Sequence, residues 1–321
     1  VSILAMIAAM QTNGGPPPAP VDPRPAPLDD VVAAMRPTGR VIFTATVAQD
    51  GSGDYSTISD AITAAHTAQA DRIAAEGVAK VTPNYATRLI ISPGEYREPV
   101  GVGHVPWIQL YGAGTDKTII LPPGDGTAHR GVLEAAGRLY VEGLTLRRDV
   151  SNADKTRPVY PVHTNNLGTS IYADVFFDNA LGPGGSAFGS DGSPDGATYL
   201  YRCRLTGGMN AHGWADMNAE QRMSIISTTA TGQVGWTTMN DTSPADVWIV
   251  GGTSGAIRAD GSSARLHLDP AHVTSGTITA PGPRDADTRW PIPFGGLSPW
   301  DQALYGMGDP DATAPAGTPG Y

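Results

Sequence analysis

The sequence predicts an all-β solenoid of stacked parallel coils, covered at one end by a short α-helix and flanked by Pro/Gly-rich arms. Three observations carry this. Glycine (40) and proline (28) are abundant while only 16% of the 321 residues are charged, a composition of many turns between short strands and not of a helical bundle. A loose internal repeat places Leu139-Tyr140 before Leu144, Ile171-Tyr172 before Phe176 and Leu200-Tyr201 before Leu205, in coil-sized steps of 32 and 29 residues. Ahead of the repeat, Ile58, Ala61, Ile62 and Ala65 fall at i, i+3, i+4 and i+7, one apolar stripe on a helix that Thr57 can cap.

Residues 1–40 form an N-terminal arm. Val1–Met10 is apolar but has no basic flank and is too short to span a bilayer; it is read as a docking arm or small packed helix, with a signal-peptide remnant as the alternative. Gln11–Pro27 is Pro-rich and lacks apolar periodicity, so it is either an extended tether or an arm that orders against neighbouring subunits. Asp29–Met35 offers a helical turn or two before Pro37.

The solenoid is assigned to residues 41–280. Val41–Val47 alternates and is β-branched, hence a first strand, and Asp50-Gly51-Ser52-Gly53 turns the chain into the capping helix near 57–75. Such a helix covers the open first coil, whose core and backbone groups would otherwise face water. Arg88–Ser92 is a short apolar strand, and Met223–Ser227, Asp246–Val250 and Ala264–Asp269 continue the series. Gly112-Ala113-Gly114 is weak as a phosphate loop, because no Lys-Ser/Thr pair and no helix pattern follow it. The tail, 281–321, returns to Pro and Gly. It carries a short helix candidate from Ser298 to Tyr305 and the aromatics Trp290, Trp300 and Tyr305, candidate contacts for assembly or for packing on their own domain.

Several function classes are disfavoured. A formal charge of −10 speaks against a nucleic-acid partner. The single Cys203 rules out an intramolecular disulfide and a cysteine-built zinc site, and no cofactor motif or specified metal ligand set is present.

The run Asp50-Gly51-Ser52-Gly53-Asp54-Tyr55, the strand ending in Pro93-Gly94-Glu95-Tyr96-Arg97-Glu98, and Gly112-x-Gly114-x-x-x-Thr118-x-Ile120 together resemble the pectinesterase family. The resemblance implies a right-handed, single-stranded parallel β-helix of the pectin-lyase-like class. It also implies an esterase site of two aspartates and an arginine, carried on Gln-Asp-Thr, on an Asp-Phe-Ile-Phe-Gly that follows a Tyr-x-x-Cys-x-Ile-x-Gly strand, and on Arg-Pro-Trp. Here the strand is Tyr201-Arg202-Cys203-Arg204-Leu205-Thr206-Gly207, and Asn210 stands where the nucleophile is expected. An amide has no ionisable oxygen to attack an ester or take a proton. Gln-Asp-Thr and Arg-Pro-Trp are absent; Asp178, Asp191 and Asp195 precede the strand without a glutamine, and Arg258 sits in what reads as a Gly/Ala turn.

His212, Asp216 and Glu220 form the best remaining polar cluster: a catalytic pair of carboxylates, a sugar-contacting surface and a solvated loop all remain open for it. Trp214, Trp236 and Tyr172, with Trp248 and Tyr160, are candidate glycan-stacking rings if exposed and packing residues if not. The pattern of β-helix plus arms is similar to that of bacteriophage tail proteins. It implies a non-enzymatic virion component, partnered by other tail proteins, by itself as a homo-oligomer through the arms, and by host cell-wall glycan. The alternative is an active, secreted carbohydrate esterase or polysaccharide depolymerase.

Overall fold

A computed structural model describes residues 41–77, 85–103, 105, 107–124, 130–135, 138–149, 160–164, 169–180, 186–192, 197–213, 221–236, 245–260, 264–280, 282 and 284–285. The arm 1–40, the tail from 286 and the Ser298–Tyr305 helix candidate lie outside these residues. The described chain is a right-handed parallel β-helix. Its strands form three parallel sheets; after Val41–Val47, which pairs with Ala86–Ile91 in sheet 1, the chain visits the sheets in rotation. Sheet 1 has ten described strands, from Val41–Val47 to Arg284–Asp285; sheet 2 has eight, from Gly94–Arg97 to Val273–Thr274; sheet 3 has eight, from Val100–Gly101 to Ile278–Thr279. The right-handed crossover follows from the twist preference of parallel strands.

Coils shorten along the axis. The register partners Gln109, Tyr140, Ile171, Tyr199, Ser224, Trp248, His267 and Asp285 give steps of 31, 31, 28, 25, 24, 19 and 18 residues. The repeat read from sequence is real, but its register is one residue off: Tyr140 pairs with Ile171, and Tyr172 lies between Val141 and Leu200. Tyrosines on both faces of one sheet produced the slip, and a one-residue slip exchanges inside for outside.

Five successive corners between sheets 1 and 2, from residue 143 to residue 252, are two residues long, whereas the corner at 112–117 has six and that at 269–272 has four. In the five, the first residue, Gly143, Asp174, Arg202, Ser227 or Gly251, adopts a left-handed conformation with φ between 48° and 66°. Its N–H donates across to the next coil: Asp174 to the carbonyl of Tyr201 at 2.9 Å, Arg202 to that of Ile226 at 3.0 Å, Ser227 to that of Val250 at 2.7 Å. The second residue, Leu144, Val175, Cys203 or Thr228, is buried. Cys203 bonds through its sulfur to the carbonyls of Tyr172 (3.3 Å) and Tyr201 (3.4 Å), and burial pushes its thiol up to about 12.

Helix α1 (Ile58–Glu76) starts at Thr57 as expected and buries Ile58, Ala61, Ile62, Ala65 and Gln69. Its Thr57 side chain accepts from the Asp60 N–H, and Gly77 closes the far end in a left-handed conformation. Two further N-terminal N–H groups, of Ile58 and Ser59, donate to the two carboxylate oxygens of Glu98 at 2.9 and 2.8 Å. Tyr96, fully buried, donates its hydroxyl toward the carbonyls of Val47 and Ser92, both at 3.1 Å, and Asp54 accepts from the Thr46 N–H and hydroxyl at 2.8 Å. The Asp-Gly-Ser-Gly-Asp and Pro-Gly-x-Tyr-Arg-Glu motifs therefore hold the helix on the first coil; their polar groups are engaged in structure.

Two tests follow from these contacts. Glu98→Ala removes a charged cap from two helix N–H groups and should cost about 1–2 kcal/mol in urea unfolding, with Glu98→Gln recovering part of it. Cys203 should resist a thiol reagent at pH 8 in the folded chain and react at once in denaturant; fast labelling of the native protein would contradict its place in the corner.

Candidate functional site

Alternation along sheet 3 sends one set of side chains to the core and the other outward. Leu133, Val162, Phe188, Met209, Val234 and Ile257 are the inward set, all buried in the core. Their neighbours form an outward row in continuous register: Glu134, His163, Gly189, Asn210, Gly235 and Arg258. Ala211 pairs with Trp236, which fixes Asn210 beside Gly235. The row crosses six coils and brings together residues up to 124 positions apart in sequence, from 134 to 258.

Asn210, at the place of the expected nucleophile, donates its amide N–H to the Tyr160 hydroxyl at 2.9 Å. The Tyr160 ring reaches that position by lying across Gly189, where any Cβ would stand 2.8 Å from a ring carbon, and it stacks on His163 at 5.9 Å between centroids. Gly189 thus makes room for Tyr160, and Tyr160 roofs the strand beside Asn210. On the other flank Gly235 has φ +106°, and a Cβ there would meet the Arg258 carbonyl oxygen at 2.0 Å. The two glycines leave Asn210 without a side chain on either adjacent strand of the row.

Arg258 is not in a turn. It lies in the strand Ala256–Ala259, two strands from Asn210, and its guanidinium is paired with both carboxylate oxygens of Asp260. Sequence reading missed this because Gly and Ala flank it; the signal was Arg-x-Asp at strand spacing, which puts both side chains on one face. Glu134 is engaged too, accepting the N–H groups of Arg130 (2.5 Å) and Gly131 (3.3 Å).

The other candidates separate. Asp178 belongs to sheet 2 and pairs with Arg147 at 2.8 Å, away from the row. Asp191 and His212 are register partners two residues beyond Gly189 and Asn210, with only their backbones described. Trp214, Asp216, Glu220, Asp195, Trp290, Trp300 and Tyr305 lie outside the described residues. Tyr172 and Trp236 are corrections. Tyr172 is wholly buried, edge-on to Phe177 and Phe188 at 5.4 and 5.6 Å, and burial raises its phenol; Trp236 is 2% exposed. Neither ring can stack on a sugar. Trp248 stacks at 4.6 Å on His267, on sheet 1. Among the described residues no three metal-ligating side chains converge, and no helix is long and apolar enough to cross a membrane.

The chain is similar over 171 residues, at 26% identity, to a pectinesterase/pectinesterase inhibitor of Prunus persica; the match covers 52% of this chain and 25% of the other. The matched stretch therefore spans about a quarter of that curated relative's length. No protein-family model matches. Among solved structures, a pectin methylesterase in complex with a hexasaccharide is similar at 14% identity and a TM-score of 0.45, over 79% of this chain and 98% of that one. Pectin methylesterase PemA from Erwinia chrysanthemi gives 13% and 0.45 over the same shares, and the carrot pectin methylesterase 14% and 0.40 over 75% and 85%. The fold is a pectinesterase-like β-helix.

Gly235→Ala adds a Cβ against a backbone oxygen at a φ that L-residues avoid, so it should destabilise by about 3 kcal/mol. Tm measured beside a Gly101→Ala control, where a Cβ meets nothing within 4 Å, checks this.

Proposed function

We propose that this chain is a glycan-contacting β-helix without esterase activity, working as a structural component of a bacteriophage tail. The observation that carries the first half is Asn210 held by Tyr160. A carboxylate nucleophile needs an ionised oxygen and open space above it. Here the position has a neutral amide, one neighbouring strand is roofed by an aromatic ring, and the carboxylates described at the row, Glu134 within it and Asp260 two residues beyond Arg258, are already bonded to backbone N–H groups and to Arg258. Such a surface can hydrogen-bond sugar hydroxyls or acidic groups through Arg258 and Asn210, and among its described side chains no uncommitted carboxylate stands ready for acyl transfer.

The second half rests on the arms. Residues 1–40 precede the solenoid at the end that α1 covers, and 286–321 follow it at the opposite end, so Pro-rich segments are available at both poles for docking in an assembly. Tail proteins and further copies of the chain are the partners this reading assigns, in the virion, with host cell-wall glycan on the outward face of sheet 3.

Incubation with methyl-esterified pectin and host-wall polysaccharide should release no methanol and no reducing ends, while binding is retained and weakened about tenfold by Arg258→Ala. Turnover that disappears in Asp216→Asn or His212→Ala would establish the esterase instead. Deletion of residues 1–40 should leave a folded solenoid that no longer enters tails, and unimpaired incorporation would remove the docking role.

A further inference from the structure

One arginine on the outward face of sheet 1 has no acid beside it. Leu89, Leu110 and Val141 are in the core, so their neighbours on the strands Ala86–Ile91, Ile108–Tyr111 and Leu139–Glu142 point outward. Register sets those neighbours in two columns: Arg88, Gln109 and Tyr140 in one, Ile90, Tyr111 and Glu142 in the other. Arg88 is half-buried. Its Nε donates to Gln109 Oε1 at 3.0 Å, and its guanidinium carbon lies 5.5 Å from the centre of the Tyr111 ring. Both of these partners are neutral.

Among the described residues no carboxylate pairs with Arg88, and its Nη1 and Nη2 have no hydrogen-bond partner. Glu142, the acid of the two columns, accepts the Tyr140 hydroxyl at 2.7 Å, two strands away from Arg88. The connections entering the three strands have no acid to offer either: residues 77–85, 103–107 and 136–138 contain no Asp or Glu, and they add Lys80 and Arg138. Gln109 points the same way. The bond from Arg88 requires Oε1 on that side, which fixes the amide and leaves Nε2 buried and without a partner among the described residues. A buried amide NH₂ and a half-buried guanidinium that both lack acceptors gain from the oxygens of an anion. The free end of the guanidinium fork matches a planar carboxylate.

We propose that Arg88 and Gln109 hold the carboxylate of a small amphiphilic acid whose apolar body lies on Ile90 and Tyr111. Ile90 is 44% exposed, one of two large hydrophobics so exposed among the described residues. It stands two residues from Arg88, about 6.6 Å along the strand, and is the register partner of the half-buried Tyr111. An aromatic ring or a short aliphatic chain next to the carboxylate covers that distance. The apolar pair therefore selects an acid with a hydrocarbon body over a hydroxylated one. This site lies on a different sheet from the row around Asn210, and it does not depend on what sheet 3 binds.

Titration of the full chain with benzoate, followed by ligand-observed NMR, tests this. Benzoate should bind at one site, and benzamide, which has the same body and no charge, should bind at least about tenfold more weakly. Acetate, which lacks the body, should also lose about tenfold. Arg88→Met should abolish benzoate binding. Ile90→Asp changes an exposed position and leaves the core intact; it should weaken binding about tenfold through repulsion and the lost apolar contact, and it serves if Arg88→Met misfolds. Arg258→Ala should leave benzoate binding unchanged. Equal binding of benzoate and benzamide, binding that survives Arg88→Met or Ile90→Asp, loss of binding in Arg258→Ala, or no benzoate bound at about 20 mM would overturn the site.

Discussion

Five successive coils of this protein, with corners from Gly143 to Gly252, reverse from sheet 1 into sheet 2 within two residues without breaking the ladders that join them to their neighbours. The left-handed residue at that corner is the constraint on which the rest depends. It turns the chain, aims its N–H at the next coil, and sends the following side chain inward, so corner and core are built by the same two positions. Glycine meets the requirement without strain at Gly143 and Gly251, whereas Asp174, Arg202 and Ser227 carry a Cβ in a region L-residues seldom occupy. At two of these, compensation is visible: Asp174 and Arg202 are successive corner residues and form an ion pair at 2.5 Å. Because both groups are well exposed, that pair contributes little by itself, and the backbone bonds carry the corner.

Corner length also explains where the protein varies. In the five coils whose sheet 1 to sheet 2 turn is two residues, the shortening from 31 to 19 residues falls on the other connections. Sheet 3 lies next to those variable segments. Its outward row is thus a fixed surface bordered by adjustable ones, an arrangement that suits a binding face whose selectivity changes without disturbing the scaffold. Local elements do the fixing: Tyr160 through Gly189, and the close approach of Gly235 to Arg258.

Much of the architecture was legible from residues alone, because the signals were local. Thr57 and the stripe Ile58, Ala61, Ile62, Ala65 defined the helix, and β-branched runs defined Val41–Val47 and the later strands. Register was not legible. The strands of sheet 1 are apolar on both faces, so alternation, which normally tells inside from outside, is silent there; Tyr140 and Tyr172 looked equivalent and face opposite ways. For the same reason Tyr172 looked available to sugars and proved to be core; Trp236, on sheet 3, is core as well. The site was illegible in a different sense. Asn210 could be placed by its distance from Cys203, but Tyr160 reaches it across 50 residues of sequence and Arg258 joins its row through a glycine, and only the stacking of coils brings such residues together.

The rotation of the chain through three sheets has a mechanical side. Neighbouring coils are held by N–H···O bonds that run along the solenoid axis, and the described chain enters at one pole and leaves at the other. Tension between the poles therefore loads those bonds lengthwise, a few at a time, so coils would peel off singly from an end. The short terminal coils, with two-residue strands such as Val273–Thr274 and Ile278–Thr279, are the weakest rungs. Compression acts differently: it presses packed side chains together along the whole stack. As a load-bearing rod the solenoid is stiff when pushed and ratchets open, coil by coil, when pulled.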